Sequence, residues 1–290
     1  MKASLSRVLL VVVIVVIALL CGLTFKQLHE AAPPAAGQTF KTMKIGCVEW
    51  ARLTVLIDNN PNPANPELKH PWGISIYLET PSRRVLFDAG CSASALRHNA
   101  KLLGVNLSEV DFIVISHEHG DHIEGLSHMA EVKKGCTVYV PNGMSLQAKE
   151  WILRQGFKLA EVENTTKVAE GVAIVGQLYG PPYEQALAVN VSRLGIILVV
   201  GCSHPGVENF VAKAKQDLGT AVYAVIGGFH LAGASYQKLN ATLKALIEHN
   251  VAKIYPLHCS GAAFRDLVRK AAPERYGDGH VGLKAVFMKT

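Results

Sequence analysis

The sequence lacks the charge pattern of a nucleic-acid-binding protein. Its net charge is only +6 over 290 residues, and nowhere is a run of lysines and arginines interleaved with aromatic side chains, as in surfaces that bind phosphates and stack on bases. We therefore expect no nucleic-acid partner. The chain also has no internal repeat and no low-complexity block, which argues against a repeat array and favours one large domain.

Cysteine is too sparse and too widely spaced for a small disulfide-stabilised scaffold. Beyond residue 43 the chain has these cysteines: Cys47, Cys91, Cys136, Cys202 and Cys259. Because their number is odd, at least one of them is expected to be a free, buried thiol, even in a compartment that permits disulfides.

A long apolar run lies at the N-terminus. Residues 8–23 carry no charged side chain, and Lys2 and Arg7 precede them. The run lies between a signal-peptide core of about 15 residues and a membrane span of roughly 17 to 25. Because no A-x-A pattern follows, an uncleaved signal anchor at residues 1–25 is favoured over a cleaved signal peptide, with 26–42 as a linker. The basic residues before the run predict a domain outside the cytoplasm, anchored to the membrane, or secreted if the segment is cleaved.

Residues 43–290 alternate β-branched runs with amphipathic stretches and predict one α/β domain. The segments MKIGCVEW, TVLIDNN, GISIYLET and RRVLFDAG predict four consecutive strands. Strands and helices alternate in the last third, which predicts sheet faces covered by helices. Several apolar strands end in an acid or a histidine: Asp88, His117, His204, His230 and His258. Because the carboxyl ends of strands in an open α/β sheet share one edge, where ligands bind, we expect these side chains to converge.

The segment SHEHGDH, residues 116–122, concentrates ligand-type side chains directly after an apolar strand. His117 and His119 occupy alternate positions and can point the same way. Asp121 and His122 follow after a glycine that lets the chain turn. Imidazole and carboxylate are ligands that zinc, iron and manganese accept. Two groups fit these residues more naturally than one, the first pair on one ion and the second pair on the next.

The string SHEHGDH matches the H-x-H-x-D-H signature of the metallo-β-lactamase fold superfamily, and Asp88 in VLFDAG matches an acid that its members carry one strand-helix unit earlier. The resemblance covers residues 43–290 and implies an αββα sandwich with a one- or two-metal site between its sheets. The segments TVLIDN, GISIYLE, YEQAL, GCSHPG, GGFHL and PLHCSG resemble the branch of the dihydropterin-aminobenzene-ribofuranosyl phosphate synthase, many members of which are described as metal-dependent hydrolases.

The resemblance implies ligands in two groups: His117, His119 and His204 for the first ion, and Asp121, His122 and His258 for the second. The sequence departs from the family pattern at one point, because Gly201-Cys202 stands where a Gly-Asp normally supplies a bridging carboxylate. Either Cys202 is a thiolate ligand, or it is a neutral thiol and His204 reaches the metal. The site could therefore hold either one metal ion or two. Zinc is the expected metal, with iron and manganese as alternatives.

Asp121 itself and the side chains around the ligands have further expected roles. Asp121 is the natural acceptor for a proton from a metal-activated water, and Asp88 is expected to orient a ligand histidine through its free ring nitrogen. His230 is either a substrate contact or proton donor, or a buried structural histidine. Glu184 is either a substrate contact or an ordinary loop acid, and Glu118 is expected to point into solvent.

The leading hypothesis is a metal-dependent hydrolase that uses metal-activated water on a small-molecule ester, lactone, amide or phosphate substrate. A second, implied by the name of the branch, is a synthase that displaces diphosphate from a pterin. A third is a membrane-tethered module that binds a metal or ligand without catalysis.

Overall fold

The computed structural model describes residues 42–289, which form two β-sheets flanked by helices. The expected signal anchor or signal peptide at 1–25, and the linker at 26–42 apart from its last residue, lie outside the described residues. Within 42–289, none of the helices combines the length and the apolar character needed to cross a membrane.

The first sheet has strands in the order β13-β1-β2-β3-β4-β5-β6. Their bounds are Trp50–Ile57 (β1), Ser75–Glu79 (β2), Arg84–Phe87 (β3), Phe112–Val114 (β4), Thr137–Pro141 (β5), Lys158–Val162 (β6) and Lys284–Met288 (β13). Strands β3, β4, β5 and β6 run parallel to one another, so the loops after β3 and β4 leave the same edge.

The second sheet has the order β12-β11-β10-β9-β8-β7. Its strands are Thr166–Ala169 (β7), Val172–Tyr179 (β8), Tyr183–Val191 (β9), Gly195–Val200 (β10), Val222–Gly228 (β11) and Lys253–Leu257 (β12). Strands β10, β11 and β12 are parallel, so the residues that follow them also meet at one edge.

Seven α-helices lie between the strands. They span Ala93–Leu103 (α1), Gly120–Ile123 (α2), Leu126–Val132 (α3), Leu146–Arg154 (α4), Val207–Leu218 (α5), Tyr236–Glu248 (α6) and Ala262–Ala271 (α7), within the described part of the chain. Single 3₁₀ turns occupy Leu107–Glu109 and His258–Ser260. A serine side chain accepts a backbone N–H at the start of α1, α4 and α6, from Ser92, Ser145 and Ser235 respectively, which satisfies donors that a helix cannot pair itself.

The apolar side chains divide into three layers. The middle layer, between the sheets, includes Leu53, Phe87, Leu187 and Val199. One outer layer packs α1, α3 and α4 on the first sheet through residues such as Leu96, Met129 and Ile152. The other packs α5, α6 and α7 on the second sheet through Phe210, Leu243 and Phe264. The protein is therefore a sandwich of two sheets with helices on both outer faces, as the resemblance implies.

Strand β10 illustrates why this sequence needs both layers. All its residues after Gly195 are apolar and buried. Ile196 and Leu198 pack towards the helices, whereas Ile197 and Val199 pack towards the other sheet. Alternate side chains of a strand point to opposite faces, so a strand that is apolar throughout must be covered on both.

The prediction that MKIGCVEW is a strand is wrong for all but its last residue. Strand β1 begins at Trp50, and before it Val48 forms only an isolated bridge with Val191. Gly46 has a φ of +78°, a left-handed conformation that interrupts an extended strand. The sequence pattern also does not predict β6, β7 and β13.

Candidate metal centre

Ligand-type side chains from both sheets meet at the edge where β4, β10 and β12 end. The imidazoles of His117, His119 and His204 place ligand nitrogens within 4.8 Å of one another. A second group, formed by Asp121, His122 and His258, satisfies the same distance. We call these the first triad and the second triad. Each combines residues of SHEHGDH with a histidine that follows a strand of the second sheet.

Two histidines of the first triad, His117 and His119, are held in the neutral form that binds metals. His117 is buried, and its Nε2 lies 3.1 Å from Nδ1 of His119. Burial, together with the neighbouring imidazoles of His122 and His204, holds the pKa of His117 well below its ordinary value. Burial also lowers the pKa of His119. An imidazole must be deprotonated to bind a metal, so both rings are prepared for that role.

Asp88 fixes the orientation of His122 in the second triad. Its Oδ2 lies 2.7 Å from Nδ1 of His122 and accepts a 2.7 Å hydrogen bond from Oγ of Ser116, whose backbone N–H donates to Oδ1. Burial opposes protonation of His122, but the Asp88 carboxylate outweighs it and raises the pKa of the ring. Nε2 of His122 is left facing Sγ of Cys202 at 3.2 Å. This is the contact that the sequence analysis assigns to Asp88.

Replacing Asp88 with alanine should weaken metal binding by roughly 10- to 100-fold, because the ring of His122 loses the carboxylate that orients it. Competition against a chromophoric chelator measures the dissociation constant. Asp266→Ala, which removes an exposed carboxylate paired with Arg269, serves as the control and should leave the affinity unchanged. Equal affinities for the two variants would contradict the role of Asp88.

Glu184 is neither a loop acid nor a residue open to substrate. It lies in β9, is fully buried, and accepts backbone N–H groups of Cys202 at 2.8 Å, Ser203 at 2.7 Å and His204 at 2.9 Å. Its Oε2 also lies 3.0 Å from Nδ1 of His204. Burial alone would raise the pKa of Glu184, but the hydrogen bond with His204 and the backbone amides outweigh burial and lower this pKa. Glu184 therefore positions the whole turn after β10.

His258 is held by residues that follow β1 at the other end of the chain. Asp58 accepts its backbone N–H at 2.8 Å, and Oδ1 of Asn59 lies 2.9 Å from its Nδ1. The ring of Trp72 covers it, with centroids 4.8 Å apart. The sequence analysis gives no role to Asp58 or Asn59, although Asp58 ends an apolar strand in the same way as Asp88.

The remaining nitrogen of His258 provides a test of whether the site suits a cation. Nε2 is buried and has no hydrogen-bond partner among the described residues; it lies 3.2 Å from Oδ2 of Asp121. A buried polar atom without a partner is costly, and a cation that accepts both imidazole and carboxylate would satisfy it. The donor set therefore fits a divalent metal ion.

Asp121 makes the stability of the metal-free protein depend on pH. Burial alone would raise the pKa of Asp121, but the contact with His258 and the charge of His122 outweigh burial and lower this pKa from 3.8 to about 2. A lowered pKa contributes stability that is complete above the unfolded value and is lost as the pH falls through the folded value. Between about pH 4 and pH 2, urea unfolding should therefore show a larger loss of stability in the wild type than in Asp121→Asn. Equal losses would contradict the favourable environment of this carboxylate.

His230 and Cys202 complete the surroundings of the triads. His230 follows β11 and is exposed, with its ring centroid 4.5 Å from that of His204; the alternative of a buried structural histidine is therefore wrong. Sγ of Cys202 lies within 4.8 Å of ligand nitrogens of His117 and His122, between the triads. Cys202 and His204 thus both lie close enough to the other ligand-type side chains to bind a metal ion. The structure is compatible with Cys202 as a thiolate ligand and with His204 as the ligand.

Space large enough for a small molecule lies beside His119 of the first triad. A pocket of about 450 Å³ beside His119 is lined by Glu118, Ser145, Tyr179 and Tyr183, among others. Pockets of about 300 to 1,000 Å³ are usual for small ligands. Glu118, expected to point into solvent, is half-buried and accepts the backbone N–H of Ser145.

Comparison with known proteins gives consistent results. A family model described as a beta-lactamase superfamily domain matches residues 83–178. The 7,8-dihydropterin-6-methyl-4-(beta-D-ribofuranosyl)-aminobenzene-5'-phosphate synthase of Methanocaldococcus jannaschii is 30% identical over 83% of this chain and 98% of its own. Among solved structures, Tm1679, a metal-dependent hydrolase of the beta-lactamase superfamily, is 24% identical with a TM-score of 0.68, over 81% of this chain and 98% of that one. YhfI of Bacillus subtilis, a metallo-beta-lactamase fold protein, is 13% identical with a TM-score of 0.61, over 82% and 100%.

Proposed function

The chain belongs to the metallo-β-lactamase superfamily, and from that premise we propose that it is a metal-dependent hydrolase of a small-molecule ester, lactone, amide or phosphate substrate. The observation that carries the proposal is the pair of triads, each with ligand atoms within 4.8 Å, at the edge shared by the two sheets. A divalent cation bound there would supply Lewis-acid activation of a water molecule. Zinc is proposed as the ion, because imidazole and carboxylate are among its usual ligands.

The residues of the chain would divide the work. His117, His119 and His204 would hold one ion, and Asp121, His122 and His258 would hold a second. The low pKa of Asp121 keeps its carboxylate ionised near neutral pH, and its place beside the second ion is the reason to propose it as the acceptor for a proton from the activated water. His230, exposed beside His204, is placed to contact substrate or to donate a proton to a leaving group.

Elemental analysis of the natively purified protein, combined with a substrate screen, tests the proposal. We expect at least one bound divalent ion per chain and turnover of a phosphodiester, lactone or β-lactam probe. A chelator should abolish that turnover, and added zinc should restore it. His119→Ala should lose turnover, whereas His98→Ala, which changes a surface histidine on α1 that contacts the Glu67 carbonyl, should retain it. Full metal content without turnover on the whole panel would overturn the proposal.

A second candidate is supported by the similarity to the Methanocaldococcus jannaschii synthase. Displacement of diphosphate from a pterin by an arylamine would use the same cations to stabilise a phosphate leaving group. That reaction requires a cytoplasmic supply of the pterin, whereas residues 1–25 are proposed to direct the domain out of the cytoplasm. A topology reporter fused at residue 40 separates the two candidates, because a cytoplasmic signal would favour the synthase.

A further inference from the structure

A group of soft ligands lies beside the second triad, and its two thiols have no role in the proposed hydrolysis. Sγ of Cys202, Sγ of Cys259 and a ring nitrogen of His230 lie within 4.8 Å of one another. Both thiols are free and buried, with exposed fractions of 4% and 5%, while His230 is exposed. The group therefore has two sulfur atoms inside the protein and one imidazole at its opening.

The backbone around these sulfurs is arranged to leave room for them. Strand β11 ends in Gly227-Gly228, and a Cβ on Gly228 would lie 2.7 Å from Sγ of Cys259 and 2.5 Å from the carbonyl oxygen of Gly201. Only glycine avoids both contacts, so the end of β11 can approach the thiol closely. The backbone N–H of His230 then donates to Sγ of Cys259 at 3.3 Å.

Left-handed backbone conformation in the two turns that carry His230 and Cys259 brings the group together. His230 has a φ of +50° and His258, directly before Cys259, a φ of +47°. This conformation is unfavourable for residues other than glycine and concentrates at functional sites. The backbone of the turns after β11 and β12 is therefore strained, and in this conformation His230 and Cys259 lie close to Cys202.

The ligand chemistry differs from that of the triads. Two thiolates and one imidazole form a donor set for thiophilic ions such as Zn²⁺, Cd²⁺ or Cu⁺, whereas imidazoles with a carboxylate accept a wider range of ions. We propose that Cys202, His230 and Cys259 form a separate binding site for a thiophilic cation next to the second triad. Sγ of Cys202 faces both sites, since it also lies 3.2 Å from Nε2 of His122. The thiol of Cys202 therefore borders both sites.

Cadmium binding to the full-length, reduced, metal-free protein tests the proposal, because cadmium–thiolate bonds absorb in the ultraviolet. The wild type should show a charge-transfer band from two thiolates, and Cys259→Ser should show about half of it. Cys202→Ser with Cys259→Ser should remove the band. His230→Ala should weaken cadmium binding. His119→Ala, which damages only the first triad, should keep the band, and so should Cys136→Ser, which changes another buried free thiol.

The ¹¹³Cd chemical shift of the wild-type protein reports the number of coordinated sulfurs and does not depend on how any variant folds. A signal characteristic of two sulfur ligands supports the proposal. A spectrum without any signal of two-sulfur coordination overturns it, and so does a full charge-transfer band in a folded Cys259→Ser variant, since Cys202 would then act alone. A disulfide between Cys202 and Cys259 that resists reduction would also overturn it.

Discussion

Replacement of Glu184 by alanine should destabilise the protein by about 3 to 5 kcal/mol, the largest effect of a single substitution that we expect. Its carboxylate is fully buried and accepts three consecutive backbone N–H groups, from Cys202 to His204. Without it, these donors stay buried without a partner, and each such group costs about 1 to 3 kcal/mol. The ring of His204 also loses the contact that orients it.

Urea unfolding of the metal-free protein measures this loss, and metal content measures its effect on the first triad. Glu184→Gln should fall between the wild type and Glu184→Ala, because the amide keeps one acceptor oxygen but presents an N–H to the backbone of His204. Glu150→Ala is the matched control, since Glu150 is exposed and paired with Arg154 on α4. A change below about 1 kcal/mol in Glu184→Ala would mean that the turn is held by other contacts.

Asp121→Asn should lower the turnover number by about 10² to 10⁴, the usual contribution of a positioned acid or base. Oδ2 of Asp121 lies 3.2 Å from Nε2 of His258 and 3.7 Å from Nε2 of His122, so it borders the position where a second ion would be held. The amide has nearly the same shape but cannot accept a proton near neutral pH. The chain would therefore keep its fold and lose the step in which the water is deprotonated.

Steady-state kinetics on any substrate found in the screen, together with metal analysis, separates this role from simple loss of the ion. The expected result is a large fall in turnover number with at least one ion retained. Glu131→Gln, an exposed acid on α3 paired with Arg97, should match the wild type. Unchanged turnover in Asp121→Asn would assign the proton acceptor to another group.

The sequence predicts the convergence of polar strand ends more reliably than it predicts the path by which they meet. Asp88, His117, His204, His230 and His258 do follow β3, β4, β10, β11 and β12. The reasoning from one open sheet is incomplete, because the first two leave one sheet and the others leave the second. Local sequence identifies where an apolar strand stops, whereas the pairing of two sheets depends on contacts between distant segments.

The residues that support the ligands are harder to find for the same reason. Asp58 binds the backbone of His258 across 200 positions of sequence, and nothing near Asp58 indicates that partner. Glu184 precedes the apolar run ALAV in YEQALAV, so its place inside a strand is not evident from the sequence, and the contact of its carboxylate with the turn after β10 depends on the pairing of β9 with β10. Cys259 is adjacent to a candidate ligand, so its own chemistry is easily overlooked.

Within residues 42–289, the non-glycine residues with positive φ are Asp88, Arg193, Ser203, His230, Asn250 and His258. Most of them surround the metal centre. A residue other than glycine in the left-handed conformation costs on the order of 1 to 3 kcal/mol. These turns therefore lower the free energy of unfolding. Selection for thermostability alone would favour glycine or asparagine at positions 230 and 258 and would remove ligand nitrogens in the process. Heat resistance and function would therefore evolve in opposite directions at this edge of the sandwich.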